Sequence, residues 1–179
     1  LDPSEISHTL ENILLVGQAT GNEQQATNLI SSLQTRIDAV VNGVVGITSK
    51  PTVYVELYSD PYTSVGKGTF INSLIQMVGG QNIYENETNA YPDVSVEFVI
   101  AQNPDIIIFP DSMGLDLLES FAGIKDRDGW ATINAIQTDS LYIVDADALN
   151  RPAPRQVDAL EALAKILHPE IFGEYTYQP

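Results

Sequence analysis

Few side chains in this sequence stand in an arrangement that performs chemistry unaided. His8 and His168 are singletons without a partner at metal-ligand spacing, and each reads as a surface or helix-capping residue. Gly66-Lys67-Gly68-Thr69 has the look of a phosphate loop, but Lys67 is not followed by Ser or Thr, and no glycine stands five residues before Gly66. There is no Gly-x-Ser-x-Gly elbow to expose a nucleophile. The close acid pairs Asp126/Asp128 and Asp145/Asp147 lack the spacing of a calcium loop. Zero cysteines exclude a thiolate nucleophile, a disulfide framework and Cys-ligated zinc. Asn86-Glu87-Thr88 is a formal glycosylation sequon that matters only in a host that glycosylates there. On these residues we assign no catalytic group, no metal ligand and no resident cofactor.

What remains is suited to recognition. Tyr58-Ser-Asp-Pro-Tyr62-Thr-Ser64 carries two tyrosines and runs on to Gly66 and Gly68. Asn89-Ala-Tyr91-Pro-Asp93 sets an aromatic before proline, where the backbone is held extended. Asp145 to Arg155 is a long polar stretch that places Asn150 and Arg151 ahead of a helix. Tyrosines on loops braced by Gly and Pro suit a flat, partly apolar ligand. The plainer alternative is that these rings only cover a sheet edge.

The elements that must position these loops are readable from periodicity. Residues 1–46 are helical throughout. Asp2-Pro3-Ser4-Glu5 starts one helix, whose face is Ile6, Leu10, Ile13 and Leu14 and which fades at Gly17. Ala26, Leu29, Ile30, Leu33, Ile37, Val40, Val41 and Val44 then form one helical stripe over Asn22–Val44. After Gly46 strands and helices alternate. Strands are expected at 52–58, 105–109 and 141–144, the second without polar alternation and so buried on both faces. Helices are expected from Phe70 to Val78, Ser95 to Gln102, Gly114 to Phe121, Trp130 to Ile136 and Pro154 to Leu167. This order predicts an α/β fold, a Rossmann-like three-layer lobe with a parallel sheet covered on both faces. In such sheets, ligands bind beyond the carboxyl ends of the strands, where the three loops lie.

Charge narrows the partners. Twenty-four acidic against eight basic residues leave a net charge of −16, which opposes nucleic acid and anionic membrane surfaces. No apolar run is long enough to span a bilayer. The chain opens on Leu1 without a signal peptide, which reads as a processed product or a cut fragment.

The order of motifs resembles the carboxyl-terminal part of a substrate-binding protein of ABC importers, from the class that handles cobalamin, iron-siderophores and haem. Residues 22–45 resemble that class's long helix between two α/β lobes. Val53-Tyr-Val-Glu56, Gly68-Thr-Phe-Ile-Asn-Ser-Leu-Ile75, Gly79-Gly-Gln-Asn-Ile83, Tyr91-Pro-Asp-Val-Ser-Val-Glu97, Asn103-Pro-Asp105 and Arg151-Pro-Ala-Pro-Arg155 follow the second lobe in order. The resemblance implies a division into a helical segment, 1–46, and a carboxyl-terminal substrate-binding lobe, 47–179, with the amino-terminal lobe missing. It implies a non-enzymatic protein outside the cytoplasmic membrane, in the periplasm or as a surface lipoprotein, that hands a corrinoid or iron chelate to a permease. Asp60–Ser64 and Tyr91–Ser95 look most like the cobalamin binders, although Tyr91 stands where those relatives often carry Trp. On that likeness Tyr62 and Tyr91 would contact ligand with Asn150 and Arg151 beside them, Tyr58 joins them from the same loop as Tyr62, and Glu97 would be the carboxylate that meets a basic residue of the permease.

Glu97 has a local explanation too, since a carboxylate in a first helical turn is favoured by the helix dipole. Trp130 is expected in the core. The stripe of helix 22–45 should be partly uncovered unless it folds onto the lobe or pairs with a second copy. Two other functions stay open: an α/β enzyme or chelatase using Asp145, Asp147 or Glu97 as acid/base or metal ligands, and a flavodoxin-like interaction domain.

Overall fold

The structure, a computed structural model, describes residues 5–59, 61–111, 123–151 and 153–177. It opens with a pair of helices, α1 (Ile6–Thr20) and α2 (Glu23–Gly43), which turn back on each other at Gly21. Gly17 permits this close approach: a Cβ there would lie 2.4 Å from the Cβ of Ala26. At 1.5 Å per residue, the 21 residues of α2 make a rod of about 32 Å.

The apolar stripe of α2 is covered in part, with Leu29 left exposed and Ile30, Val41 and Val44 half-buried. Ala26, Leu33, Ile37 and Val40 are buried, because α2 packs on α1 and on the long helix near the end of the chain. Of the two ways foreseen to cover it, folding onto the lobe is the one adopted here. Leu14, Leu15, Val16 and Leu29 stay exposed towards the hairpin turn.

The rest alternates as expected. β1 (Thr52–Val55) leads into a two-stranded ribbon, β2 (Tyr58–Ser59) and β3 (Tyr62–Thr63). Then follow α3 (Phe70–Met77), β4 (Gln81–Asn82), α4 (Val96–Gln102) and β5 (Ile106–Pro110). After a 3-10 turn at Trp130–Thr132 come α5 (Asn134–Gln137), β6 (Leu141–Val144), α6 (Ala146–Asn150), α7 (Gln156–Leu167) and α8 (Pro169–Phe172). The main sheet is parallel, in the order β4-β1-β5-β6, with Val53 opposite Ile106 and Ile107 opposite Leu141.

Alternation along the strands divides the interior into two cores. Val53, Val55, Ile106, Ile108 and Val144 face an aliphatic core shared with Leu74 and Ile75 of α3, Leu160 and Leu163 of α7, and Ile37 and Val40 of α2. Tyr54, Ile107, Phe109 and Leu141 face the other side, against Tyr84, Val99, Ile133 and Trp130. Trp130 is fully buried, as its helical spacing led us to expect.

Several boundaries differ from expectation for tertiary reasons. The strand expected over 52–58 ends at Val55, and Tyr58 already belongs to the ribbon. The helix expected over 130–136 is broken at Ile133, which is extended, because the Asn134 N–H donates to Asn103 Oδ1 (2.7 Å) and the Ala135 N–H to the Pro104 carbonyl. The closing helix starts at Gln156 rather than Pro154. The stretch Asp145–Arg155, read as a loop, contains α6, N-capped by Asp145 Oδ1, which accepts from the backbone N–H groups of Asp147 and Ala148. His168 is no surface residue: it is buried with Nε2 2.8 Å from the Val78 carbonyl, where it caps the end of α3. The helix expected over Gly114–Phe121 lies outside the described residues. Among the described residues no helix is long and apolar enough to cross a membrane.

Candidate functional site

At the carboxyl ends of the parallel strands, the chain after β1 and the segment before α4 lean on one another. The Leu57 N–H donates to the Thr63 carbonyl (2.8 Å), which closes the β2–β3 hairpin. The Ser64 N–H donates to the Pro92 carbonyl (3.1 Å) and the Val94 N–H to the Tyr62 carbonyl (2.9 Å). Gly66 allows the two segments to touch, since a Cβ there would come within 2.0 Å of the Asn89 carbonyl oxygen. Ser64 Oγ donates to the Val55 carbonyl (2.7 Å) and ties the hairpin back to β1.

A cleft of about 310 Å³ opens beside these segments. Tyr58 and Thr63 of the hairpin, Phe70 at the start of α3, Tyr91, and Leu149 and Asn150 of α6 line it. Tyr58 and Tyr91 are 64% and 58% exposed, so both rings offer most of their surface to an incoming molecule. Nearby, Thr69 is already engaged: its hydroxyl donates to the Gly66 carbonyl and accepts from the Asn72 N–H.

Of the residues proposed to contact ligand, the structure brings Tyr58, Tyr91 and Asn150 around this cleft. Tyr62 and Arg151 do not line it. The half-buried Tyr62 lays its ring against the Arg127 guanidinium, 4.7 Å from the ring centre. The exposed Arg151 pairs with Asp147 at 3.1 Å across one turn. Asp60 falls outside the described residues.

Glu97 stands exposed in the first turn of α4. Ser95 caps that helix, its Oγ accepting from the Phe98 N–H (3.2 Å) and donating to Glu97 Oε2 (2.8 Å). The backbone N–H of Glu97 and the Ser95 hydroxyl hold its carboxyl below the usual carboxylate range, so the charge is present at neutral pH. Asp145 and Asp147, two of the three acids on which the enzyme alternative would draw beside Glu97, are engaged in local contacts. Asp145 caps α6 and pairs with Arg155, and Asp147 pairs with Arg151. Among the described residues, no group of three His, Asp or Glu is placed to hold a metal ion.

One arrangement was not foreseen from the sequence. Glu56, directly after β1, is fully buried, and Arg127 forks onto its carboxylate at 2.7 and 2.8 Å. The Tyr54 hydroxyl donates to the same carboxylate (3.2 Å), and burial, then the Glu56 charge, push that phenol well above its usual range. The guanidinium lies between two rings, 4.7 Å from Tyr62 and 4.4 Å from Trp130. A signal existed: a lone carboxylate closing the apolar run Val53-Tyr-Val must find a cation once buried.

Comparison with known proteins agrees with this fold. The family model described as "Periplasmic binding protein" matches residues 2–148. An ABC transporter substrate-binding lipoprotein of Bacillus subtilis is 29% identical over 97% of this chain and 54% of its own length. A cobalamin-binding protein of Halobacterium salinarum is 30% identical over 92% of this chain and 45% of its own. The chain thus spans about half the length of these curated relatives. A solved structure of a possible iron-binding, periplasmic solute-binding protein from Staphylococcus epidermidis superposes with a TM-score of 0.82 and 30% identity, over 93% of this chain and 64% of that one. Sheet order, the helix pair ahead of it, and these matches place the chain in the periplasmic binding protein family.

Proposed function

We propose that this chain is the carboxyl-terminal lobe and linking helix of the substrate-binding component of an ABC importer. Its cargo is a corrinoid such as cobalamin, or an iron chelate of the siderophore or haem kind. The observation that carries the reading is the cleft at the carboxyl edge of the sheet, rimmed by the exposed rings of Tyr58 and Tyr91. Flat faces and one amide at Asn150 suit capture of a rigid, partly apolar molecule. Tyr62 and Arg151 complete the ligand surface from its margins, and residues 47–179 act as the lobe that bears it.

The size of the cleft supports a two-sided site. About 310 Å³ is at the low end for a pocket that encloses a drug-sized ligand, and a corrinoid is larger. A second wall is therefore needed, and a second α/β lobe beyond residues 1–46 supplies it in this reading. The resemblance to cobalamin binders, the cobalamin-binding and possible iron-binding relatives, and the lipoprotein relative support the cargo class and an extracytoplasmic location. Glu97 is the docking charge: ionised, exposed and fixed by Ser95, it meets a basic residue of the permease. The acidic surface as a whole steers that encounter.

Titration of the full-length protein with cyanocobalamin, haemin and a ferric siderophore, followed by Trp130 fluorescence, tests the reading. One of the three should bind tightly; binding of none would overturn it. Glu97→Ala should lower uptake while leaving ligand affinity as it was, and a loss of affinity would contradict the docking role.

A further inference from the structure

We propose that Arg127 is a positioning residue of the cleft: clamped by Glu56, its guanidinium seats the ring of Tyr62 and thereby fixes the hairpin that presents Tyr58. This rests on the ligand-binding reading of that cleft. The hairpin has two residues per strand, and a ribbon so short does not hold its shape in water by itself. Its backbone is tied at Leu57, Ser64 and Val94. Those bonds fix the path of the chain but leave the Tyr62 side chain free to turn. The guanidinium plane 4.7 Å from that ring supplies the missing side-chain anchor.

The anchor is itself immobilised from two directions, and the second of these is braced in turn. Both Nη atoms of Arg127 are forked onto Glu56, Trp130 covers the guanidinium at 4.4 Å, and Trp130 packs edge-on against Tyr54. Stability alone gives no reason for a charge here, because an apolar pair of the same volume is commonly as stable as a buried ion pair. A fixed planar cation is what an apolar residue cannot provide. Lysine could not replace it, since it has neither the fork nor the flat face. The stack Tyr62–Arg127–Trp130 thus joins the cleft margin to the buried floor of the sheet.

The test uses Arg127→Lys, Tyr62→Leu and the double variant in the full-length protein. Amide hydrogen exchange of the ligand-free proteins should speed up at Leu57, Ser64 and Val94 by about tenfold in each single variant, with α2 and α7 unchanged. The double variant should go no further than either single one. Unchanged protection of the hairpin in Arg127→Lys overturns the proposal, and so does an even loss of protection through the sheet and α7. Tyr62→Leu leaves the ion pair intact and keeps the test decisive should Arg127→Lys fold poorly. With cyanocobalamin as probe, both single variants should bind about tenfold more weakly and non-additively. Unaltered affinity in Arg127→Lys also overturns the proposal. Should the wild type not bind cyanocobalamin, that cargo fails, while hydrogen exchange still decides whether Arg127 holds the hairpin.

Discussion

The two faces of the central sheet come from the same strands, yet they are built differently. Val53 and Val55 look into an aliphatic core closed by α2, α3 and α7, where the buried residues are Leu, Ile, Val and Ala, with rings such as Phe70 and Tyr142 packed only at its margin. Tyr54, one residue out of phase, looks into a core where the rings of Tyr84, Phe109 and Trp130 stand among aliphatic side chains, beside the buried Glu56 and its half-buried partner Arg127. The aliphatic face holds the helix pair to the lobe. The aromatic face carries directional contacts, rings set edge to face and a forked ion pair, and these reach the cleft margin through Tyr62. A non-directional core gives stability that tolerates small shifts, whereas a directional one fixes where a given ring stands. Leu57, Ile71 and Leu149 of the aliphatic core themselves line the cleft, so one face supplies its floor while the other reaches its margin through Tyr62.

The largest effects should come from buried residues, first on the directional face. Glu56→Ala leaves the half-buried Arg127 without its counter-charge and should cost about 3 kcal/mol in denaturant unfolding. Adding Arg127→Leu should recover most of that loss. A cost below about 1 kcal/mol would mean that water already reaches the pair, and the contrast between the faces would weaken. On the aliphatic face, Leu163→Ala should cost about 3 kcal/mol by transfer and cavity terms, with ligand affinity untouched. If Leu163→Ala, remote from the cleft lining, weakened cyanocobalamin binding as much as Arg127→Lys does, the contrast between the faces would be lost.

How much of this was legible depended on whether the signal is local. The stripe from Ala26 to Val40 and the run Ile106-Ile-Ile-Phe109 announce themselves, because burial repeats at the period of the element. Ser95 and Glu97 were likewise visible as a helix start. β4 was not, since two residues with a polar Asn82 carry no pattern; it is a strand because its backbone pairs with Thr52 and Val53. The hairpin at 58–63 looked like a loop for the same reason. Within the candidate site, Tyr58, Tyr91 and Asn150 were found by residue type and loop position. The Glu56–Arg127 clamp was not found, because its members lie 71 residues apart and only the folded sheet brings them together.

A smaller and pH-dependent effect is expected at the edge between β1 and β5. Asp105 accepts from the backbone N–H and hydroxyl of Thr52 and from Asn134 Nδ2, each at 2.8 Å. Burial works to raise its carboxyl, but these donors outweigh burial and hold it below its usual value. A carboxyl depressed in the folded state contributes stability above its unfolded value, near 4, and loses it as pH falls through the folded value. Asp105→Asn should therefore cost about 1 kcal/mol at pH 7, a figure reduced for its partial exposure, and the difference from wild type should close below about pH 4. A gap that persisted into strong acid would assign the loss to shape rather than charge.

The smallest effect should appear where the scaffold face uses charge. Arg36 of α2 forks onto Glu161 of α7 at 2.8 and 2.7 Å and reaches Asp158 at 2.6 Å, which on paper is the strongest tie between the helix pair and the lobe. These side chains are 34 to 50% exposed, so water and salt screen them and each long side chain gives up rotamer freedom on pairing. Leu33, Ile37 and Val40, all at most 5% exposed, bury their side chains in the same joint at roughly 1.5 kcal/mol or more apiece. Arg36→Ala should accordingly cost less than about 1 kcal/mol, and that cost should shrink further in 0.5 M salt as the Debye length falls. Hydrogen exchange along α2 should stay at its wild-type level. Were α2 instead to lose protection in Arg36→Ala, the joint would be held electrostatically, and the helix pair would be a movable arm rather than part of the scaffold.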